Sequence, residues 1–302
     1  MKIGLICDNR EWTVGEKPYK AVRDGLERLG HQVRVACPVG PRLPWATRPD
    51  AVFVWNGVHG VAGRLRAPLA ELGVPVFVME WGWFDRFAHV QIDHAGFNHT
   101  ASWSGAGWGD CPADGPERFR RAWGATPEPF RSREGYCLVL LQVPGDAQLA
   151  EAEIRRPGTL VEAVEAHAPP GLDIHVRAHP LHPWSCGSGR RVRMTDAPLG
   201  EGVAKAKFCV TINSNAGNEA LAWGCPVLCV GPALYAAAGV ARRTTVARMG
   251  QELVRMASGW RPEDAAVRNY LYRLACRQWS AEELAQGAPL RKVLADASPT
   301  PV

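Results

Sequence analysis

A run of small and polar residues, TINSNAGNEAL at positions 211–221, has the composition of a phosphate-binding turn. An apolar strand is expected to end there and a helix to begin, and free N–H groups at a helix start can hold an anion. Ser214 and Asn215 would meet phosphate oxygens, while Gly217 would let the backbone approach a ligand closely. Glu219 could accept hydrogen bonds from both hydroxyls of a ribose. An ordinary helix N-cap explains the same residues. The turn together with Gly224-Cys-Pro-Val227, where the next strand is expected to begin, favours nucleotide binding.

The sequence Arg177-Ala-His-Pro180 stands at the predicted carboxyl end of an apolar strand. Ligands bind beyond the carboxyl ends of strands in parallel α/β sheets. The guanidinium of Arg177 can hold an anion with two parallel hydrogen bonds, and the imidazole of His179 can donate to a phosphate or a carboxylate. An isolated histidine is more often structural. The position of His179 and its arginine neighbour nevertheless favour contacts from Arg177, His179 and Pro180 to a phosphate-bearing substrate, which would be the donor in a group-transfer reaction.

A turn between Gln142 and Asp146 follows another apolar strand. Its Pro-Gly-Asp sequence is ordinary turn chemistry, which explains these residues without any function. The turn would also lie at the mouth of a ligand cleft, where Gln142 or Asp146 could contact the donor. Both interpretations stay open at this point.

Carboxylates near strand ends in the first part of the chain are candidates for a general base, the group that deprotonates an attacking hydroxyl. The candidates are Glu80, Asp85 and Asp93, with His59 and Asp8 as further options. Any of these carboxylates could instead accept hydrogen bonds from backbone amides or pair with Arg86.

Polar and aromatic residues around the same strand ends are expected to bind the acceptor, which is the substrate that carries the attacking hydroxyl. The expected acceptor-side residues are Asp8, Asn56, His59, Trp81 and Trp83. Tryptophan in a loop often stacks on sugars or bases, although packing in the core explains it equally well.

Strands and helices alternate in both halves of the chain, which predicts parallel sheets with right-handed crossovers. Residues 95–134 are rich in Gly, Pro, Trp and Arg and interrupt this pattern, with one short helix expected near 116–123. The predicted architecture is α/β, with two Rossmann-like domains whose parallel sheets face each other across a cleft. Residues 1–130 would form the acceptor-side domain and residues 131–302 the nucleotide-sugar-binding domain. A cleft between domains is a common small-molecule site.

Composition narrows the class of protein. The chain has 302 residues, of which 46% are hydrophobic, and its net charge of +5 is too small to indicate nucleic-acid binding by itself. The nine cysteines include no CxxC pair, so neither a disulfide framework nor a metal site is expected. Since no apolar stretch is long enough to span a bilayer and no signal peptide is recognisable, a cytoplasmic protein is expected.

Four places in the sequence resemble the capsule polysaccharide synthesis and export family, whose members include Kdo-type sugar transferases with a GT-B fold. They are Glu80 with Gly82, the stretch from Gln91 to Asn98, the stretch from Gln142 to Gln148, and Arg177–Pro180 with the block from Asn213 to Val227. The His-Pro pair is also similar to the His-Pro motif of sialyltransferase-like enzymes, which implies contact with a nucleotide donor.

The resemblance implies a GT-B glycosyltransferase that inverts the anomeric carbon and needs no metal. The implied co-substrate is a UDP- or CMP-linked sugar, and no other cofactor is expected. The acceptor would be a hydroxyl group, either of a surface glycan or glycolipid or of a hydroxymethylated base in DNA. Two alternatives share this architecture: a nucleotide-sugar epimerase or hydrolase, and a non-catalytic protein that binds nucleotides or glycans.

Overall fold

The computed structural model describes residues 1–7, 17–38, 40, 42–105, 108, 110–130, 134–185 and 191–297. The chain divides into two compact units. The terminal unit combines Met1–Ala106 with Leu274–Val302, and the middle unit is Gly107–Arg273. This division differs in two ways from the boundary predicted at residue 130. Residues 107–130 belong to the middle unit, and residues 274–302 belong to the terminal unit.

The N-terminal segment of the terminal unit alternates strands and helices. Its elements are β1 (Lys2–Ile6), α1 (Tyr19–Arg28), β2 (Gln32–Ala36), β3 (Ala51–Trp55), α2 (Gly60–Glu71), β4 (Val76–Trp81) and β5 (His89–Asp93). The strand order is β5-β4-β3-β1-β2, and all neighbours are parallel except β4 and β5. Strands β3 and β4 are apolar and buried along most of their length, which is typical of parallel strands covered on both faces.

The middle unit repeats the alternation. Its elements are α3 (Gly115–Trp123), β6 (Tyr136–Leu140), α4 (Pro157–His167), β7 (Ile174–Arg177), β8 (Val192–Met194), α5 (Leu199–Lys205), β9 (Ala206–Thr211), α6 (Ala216–Ala222), β10 (Val227–Cys229), α7 (Leu234–Ala237), β11 (Arg242–Arg243), α8 (Met249–Ala257) and α9 (Asp264–Ala275). The strand order is β11-β10-β9-β6-β7-β8, and every pairing is parallel. The short helix expected near 116–123 is α3, whereas β8 and α5 were not predicted.

The C-terminal segment completes the terminal unit with β12 (Trp279–Ser280), α10 (Ala281–Gln286) and α11 (Ala288–Asp296). Strand β12 pairs antiparallel with β5, and both helices pack against α1. Gly25 in α1 permits this packing, because a Cβ at that position would overlap the carbonyl group of Leu284. Helix α10 begins with a capping box between Ser280 and Glu283, which fixes the start of the returning segment.

The buried side chain of Gln278 ties this segment to the loop after β4. Its Oε1 accepts hydrogen bonds from the backbone N–H groups of Trp83 (2.8 Å) and Phe84 (3.1 Å), and its Nε2 donates to the Phe84 carbonyl (2.9 Å). These residues are nearly two hundred positions apart, so no local pattern could have predicted that residues 274–302 join the first domain. None of the helices within the described ranges combines the length and apolar character needed to cross a bilayer.

Candidate functional site

Three neighbouring strands of the middle unit end at the same level of one sheet edge. Leu140 at the end of β6 is paired with Thr211 of β9 on one side and with Arg177 of β7 on the other. The residues that follow these strands therefore share the carboxyl edge of the sheet, where α/β folds bind ligands. The structure thus brings together the donor-side residues that were predicted from three separate stretches of sequence.

Gln142 joins the ends of β6 and β9. Its Nε2 donates to Asn213 Oδ1 (3.0 Å), its Oε1 accepts from the backbone N–H of Asn213 (2.9 Å), and Asn213 Nδ2 donates to the carbonyl of Gln148 (2.7 Å). Both side chains are buried. Gln142 therefore holds the two loops in place, and its predicted contact with a donor stays untested. Asn213, which was not selected from the sequence, is its essential partner.

Asp146 adopts the turn role that was the alternative to ligand binding. Its Oδ1 accepts a hydrogen bond from the backbone N–H of Gln148 (3.0 Å), and it caps the short 3₁₀ turn Ala147–Leu149. The carboxylate thereby fixes the loop that supplies Gln148 to Asn213.

Replacing Gln142 with Ala should lower the free energy of unfolding by about 1–3 kcal/mol, because the buried Oδ1 and backbone N–H of Asn213 lose their hydrogen-bond partner. Urea denaturation followed by tryptophan fluorescence measures the change. Gln251→Ala, at an exposed position of α8, is the matched control and should shift stability by no more than about 0.5 kcal/mol. Equal unfolding midpoints for the two variants would refute a structural role for Gln142.

Glu219 belongs to a chain of polar side chains at the start of α6. Asn215 Nδ2 donates to Glu219 Oε1 (3.4 Å), Asn218 Nδ2 donates to Asn215 Oδ1 (3.0 Å), and Tyr270 donates from its hydroxyl to Asn218 Oδ1 (2.6 Å). The side chain of Asn215 makes no capping hydrogen bond to α6. The N-cap interpretation therefore does not describe Asn215, whose amide instead contacts the carboxylate that was predicted to bind ribose. Ser214 does bond the start of the helix, because its Oγ accepts the backbone N–H of Ala216 (3.3 Å).

Gly217 packs closely against the side chain of Tyr235. A Cβ at this glycine would lie 2.7 Å from two ring atoms of Tyr235. The Tyr235 hydroxyl donates to the carbonyl of Ser214 (3.2 Å), and burial raises the pKa of Tyr235 well above its usual value, so it stays a neutral donor. The absent side chain of Gly217 thus makes room for Tyr235, which holds the turn at Ser214, and the close approach of a ligand to Gly217 stays a prediction.

The His-Pro segment forms a tight turn after β7. The backbone N–H of Leu181 donates to His179 Nδ1 (3.1 Å), and the N–H of His182 donates to the His179 carbonyl (2.9 Å). Because Nδ1 accepts a hydrogen bond, the neutral imidazole carries its proton on Nε2. That tautomer supplies the N–H donor which the predicted role of His179 requires. Pro180 is exposed, and Arg177 Nε donates to the carbonyl of Ala197 (3.1 Å), which orients the guanidinium.

A cavity of about 360 Å³ lies beside this turn, within the middle unit. Its volume falls in the range of about 300–1,000 Å³ that is usual for small-molecule sites. The lining residues are Pro144, Arg156, Pro157, Gly158, Thr159, Glu162, His182 and Trp184. The cavity is thus formed by the loop after β6, the start of α4 and the loop after β7. Except for Pro144, which belongs to the stretch from Gln142 to Gln148, these lining residues were not selected from the sequence.

Glu80 is the buried carboxylate at the carboxyl edge of the terminal unit's sheet. Asn56 Nδ2 donates to Glu80 Oε2 (2.8 Å), and the backbone N–H of Trp81 donates to Glu80 Oε1 (2.9 Å). Strands β3 and β4 pair Trp55 with Met79, so the next residues, Asn56 and Glu80, are neighbours. Asn56 has a left-handed backbone (φ 59°), a conformation that asparagine tolerates well. These two donors fix the orientation of the Glu80 carboxylate.

Asp93 and Asp85 are less suited to the base role. Asp93 Oδ1 accepts the backbone N–H groups of Ala95 (2.8 Å) and Ser102 (2.8 Å), and its Oδ2 accepts the Ser102 hydroxyl (2.7 Å). It organises the loop after β5, as the alternative interpretation of these carboxylates proposed. Asp85 is exposed and has a left-handed backbone (φ 42°) at the start of a 3₁₀ turn.

The two acceptor-side tryptophans differ in environment. Trp83 is buried, and its Nε1 donates to Asn98 Oδ1 (2.8 Å), so it packs in the core and does not present a stacking surface. Trp81 is half-buried and contacts Trp55 edge-on, with ring centroids 4.7 Å apart. Trp81 also contacts Phe87 edge-on at 5.4 Å, and Phe87 is 67% exposed. Trp81 and Phe87 therefore offer the accessible aromatic surface, and Phe87 was not selected from the sequence.

Two predicted acceptor-side residues remain, His59 and Asp8. His59 is exposed and precedes α2, where its side chain makes no capping hydrogen bond. Asp8 lies outside the described residues. Among the residues that the structure describes, no three His, Cys, Asp or Glu side chains are grouped as a metal site requires.

Residues 93–258 match the model of the family described as capsule polysaccharide biosynthesis protein. The match spans more than half of the 302 residues. The chain belongs to this family. The matched region contains Gln142, Arg177 to Pro180 and the turn at 214–219, whereas Glu80 precedes it. The family resemblance predicted from the sequence is confirmed.

Two solved structures share the fold. Thermosulfurimonas dismutans KpsC, beta Kdo 2,4 transferase, is 19% identical and covers 90% of this chain and 98% of its own, with a TM-score of 0.55. Thermosulfurimonas dismutans KpsC, beta Kdo 2,7 transferase, is 16% identical and covers 97% of this chain and 100% of its own, with a TM-score of 0.57. A comparison with curated protein sequences finds no match. The predicted GT-B fold class with two Rossmann-like domains is confirmed, and the family and the fold support the predicted enzyme class, a glycosyltransferase.

Proposed function

We propose that this protein transfers a sugar from a nucleotide-linked donor to a hydroxyl group of an acceptor. The observation that carries the proposal is the common edge formed by the ends of β6, β7 and β9, in a chain of the capsule biosynthesis family with a GT-B fold. This edge carries an imidazole N–H donor at His179, a guanidinium at Arg177 and an oriented carboxylate at Glu219. The imidazole N–H and the guanidinium can bind an anion, and the carboxylate can accept hydrogen bonds from the hydroxyls of a ribose.

The donor is a UDP- or CMP-linked sugar. Glu219 accepts the ribose hydroxyls, while Arg177, His179 and the Ser214–Asn215 turn contact the phosphate. The cavity at the start of α4 receives another part of the donor, since its indole, guanidinium and hydroxyl groups suit a polar aromatic ligand. Kdo is the first sugar to test, because both similar structures are named as Kdo transferases.

Transfer proceeds by a single displacement that inverts the anomeric carbon and needs no metal. Glu80 takes the proton from the acceptor hydroxyl as that oxygen attacks the anomeric carbon. Arg177 and the Nε2–H of His179 stabilise the negative charge that develops on the departing phosphate. NMR of the product sugar determines its anomeric configuration, and retention of configuration would contradict the single displacement. A chelating agent should leave the rate unchanged.

The acceptor is a glycan rather than DNA, because the family is one of capsule polysaccharide biosynthesis. Trp81, which directly follows Glu80, and the exposed Phe87 give an acceptor sugar an aromatic surface. A hydroxymethylated base in DNA is the competing acceptor.

One assay separates these possibilities. CMP-Kdo, other CMP-sugars and UDP-sugars are each incubated with the protein and with oligosaccharide or hydroxymethylcytosine-containing DNA, and products are detected by mass spectrometry. A sugar-dependent mass increase on an oligosaccharide supports the proposal. A mass increase on DNA alone would show that DNA, and not a glycan, is the acceptor. Release of free sugar or an isomerised donor without acceptor indicates the hydrolase or epimerase alternative. Binding of donor without any turnover indicates a non-catalytic protein.

Glu219→Ala should weaken nucleotide binding by about 10- to 100-fold, because a hydrogen bond to a charged group contributes about 1.5–3 kcal/mol. Calorimetric titration of the nucleotide that binds the unaltered protein measures the change. Glu201→Ala removes an exposed carboxylate from α5 in the same unit and serves as the control. Equal affinities for the two variants would remove Glu219 from the donor site.

A further inference from the structure

Two thiols meet at the carboxyl edge of the terminal unit's sheet. Cys7 follows β1 and Cys37 follows β2, and the parallel register pairs the preceding residues, Ile6 and Ala36. The ladder continues one step further, because the backbone N–H of Cys7 donates to the Ala36 carbonyl (3.0 Å). The two Sγ atoms are 3.0 Å apart. Two residues that directly follow adjacent strands, thirty positions apart in sequence, thus direct their thiols at each other.

We propose that Cys7 and Cys37 are a site of reversible disulfide formation. Neighbouring strands are about 4.8 Å apart, which lies within the Cα separation of about 4.4–6.8 Å that disulfides span. The sulfur atoms need to approach by about 1 Å to reach bonding distance. Side-chain rotation provides this movement without a change in the strand pairing. The inference is independent of the transferase activity.

Access distinguishes this pair from the other close pair of thiols among the described residues. Cys37 is partly exposed, so a dissolved oxidant can reach its sulfur, whereas Cys7 is buried behind it. The second close pair, Cys209 and Cys225, has Sγ atoms 3.6 Å apart, but both side chains are fully buried. Burial also raises the pKa of Cys229 to about 12, which keeps that thiol protonated and unreactive near neutral pH. The structure therefore provides an internal control pair that is close but shielded.

The oxidant is a low-molecular-weight disulfide such as oxidised glutathione. The Cys37 thiolate attacks one sulfur of the oxidant, and one glutathione thiolate leaves. The Cys7 thiolate then attacks the Cys37 sulfur of the mixed disulfide, and the second glutathione leaves as a thiolate. The two protein thiols lose two electrons and two protons, and the oxidant is reduced to two molecules of glutathione. A dithiol reductant reverses the reaction by the same exchange.

Peptide mapping of the full-length protein tests the proposal. The protein is incubated with oxidised glutathione, quenched with acid, alkylated and digested, and the peptides are analysed by mass spectrometry. We expect a cross-linked peptide pair joining Cys7 and Cys37, lighter by two hydrogen atoms than the sum of the reduced peptides. It should disappear after treatment with dithiothreitol, and Cys209 and Cys225 should remain alkylatable after denaturation.

Two variants sharpen the result. Cys37→Ser should abolish the cross-link, while Cys276→Ser, at the other partly exposed cysteine of the terminal unit, should leave it intact. The oxidised unaltered protein should also unfold at a higher Tm than the reduced protein, because the bond closes a loop through α1. Complete alkylation of both Cys7 and Cys37 after oxidation would overturn the proposal. Since this readout uses the unaltered protein, it holds even if Cys37→Ser fails to fold.

Discussion

Replacing Glu80 with Gln lowers the rate of sugar transfer by about 10²- to 10⁴-fold, the usual contribution of a general base. The glutamine amide has the same shape and its oxygen can still accept the hydrogen bond from Asn56 or from the Trp81 backbone. It cannot take a proton from the acceptor hydroxyl. Nucleotide affinity should be unchanged, because Glu80 acts on the acceptor. Steady-state kinetics with saturating donor measure the loss.

Asp85→Asn is the matched control for this experiment. Asp85 was an alternative base predicted from the sequence, but it is exposed, and asparagine tolerates its left-handed backbone. We expect Asp85→Asn to retain a rate close to that of the unaltered protein. A full rate for Glu80→Gln together with a large loss for Asp85→Asn would transfer the base role to Asp85.

Replacing His179 with Ala reduces kcat by about 10²- to 10³-fold, which is typical for loss of one donor that stabilises developing negative charge. The His179 ring is oriented by the Leu181 N–H on Nδ1, so the donor that disappears is the Nε2–H. Because the hydrogen bond to the leaving phosphate strengthens as the bond to the sugar breaks, kcat should fall more than nucleotide affinity. Single-turnover measurements separate the two effects.

His179→Asn separates catalysis from folding. Its amide oxygen can accept the Leu181 N–H in place of Nδ1, so the turn is preserved, but the Nε2–H donor is absent. We expect this variant to be as inactive as His179→Ala and to unfold at the Tm of the unaltered protein. His167→Ala, at the exposed end of α4, should have no effect on either quantity. Normal turnover by His179→Asn would remove the imidazole from the reaction.

The ends of the strands could be predicted from the sequence, because an apolar run followed by polar residues is visible within a short stretch of the chain. His179 and Glu80 were selected because they follow or end such a run, and Glu219 because it falls in the first turn of the helix after one. The parallel register places the segments of His179 and Glu219 at one edge. Asn56 was expected beside Glu80 for the same reason, and the two side chains are hydrogen-bonded. Predictions of this kind succeed because a parallel sheet aligns the carboxyl ends of its strands.

Long-range packing was not predictable in the same way. Gln278 binds the backbone at Trp83 and Phe84 across 195 and 194 positions, and nothing around residue 278 indicates that partner. Gly217 was predicted to let the backbone approach a ligand closely, and the structure adds a second requirement for glycine, because a Cβ there would lie 2.7 Å from ring atoms of Tyr235. Asp93 could be a base or a loop organiser on sequence grounds, and only its four hydrogen bonds distinguish the two roles. Each of these outcomes depends on atoms that are distant in sequence.

The most direct test of the central claim, that the middle unit binds the nucleotide of a sugar donor, is a thermal-unfolding screen with CMP, UDP, GDP and their sugars, repeated on Glu219→Ala. A ligand present at about 100 times its Kd stabilises the fold by about 2.7 kcal/mol, which is a clear rise in Tm. We predict that one nucleotide and its sugar raise the Tm of the unaltered protein and that the rise is smaller for Glu219→Ala. An unchanged Tm with every nucleotide and nucleotide sugar would contradict the proposed donor site.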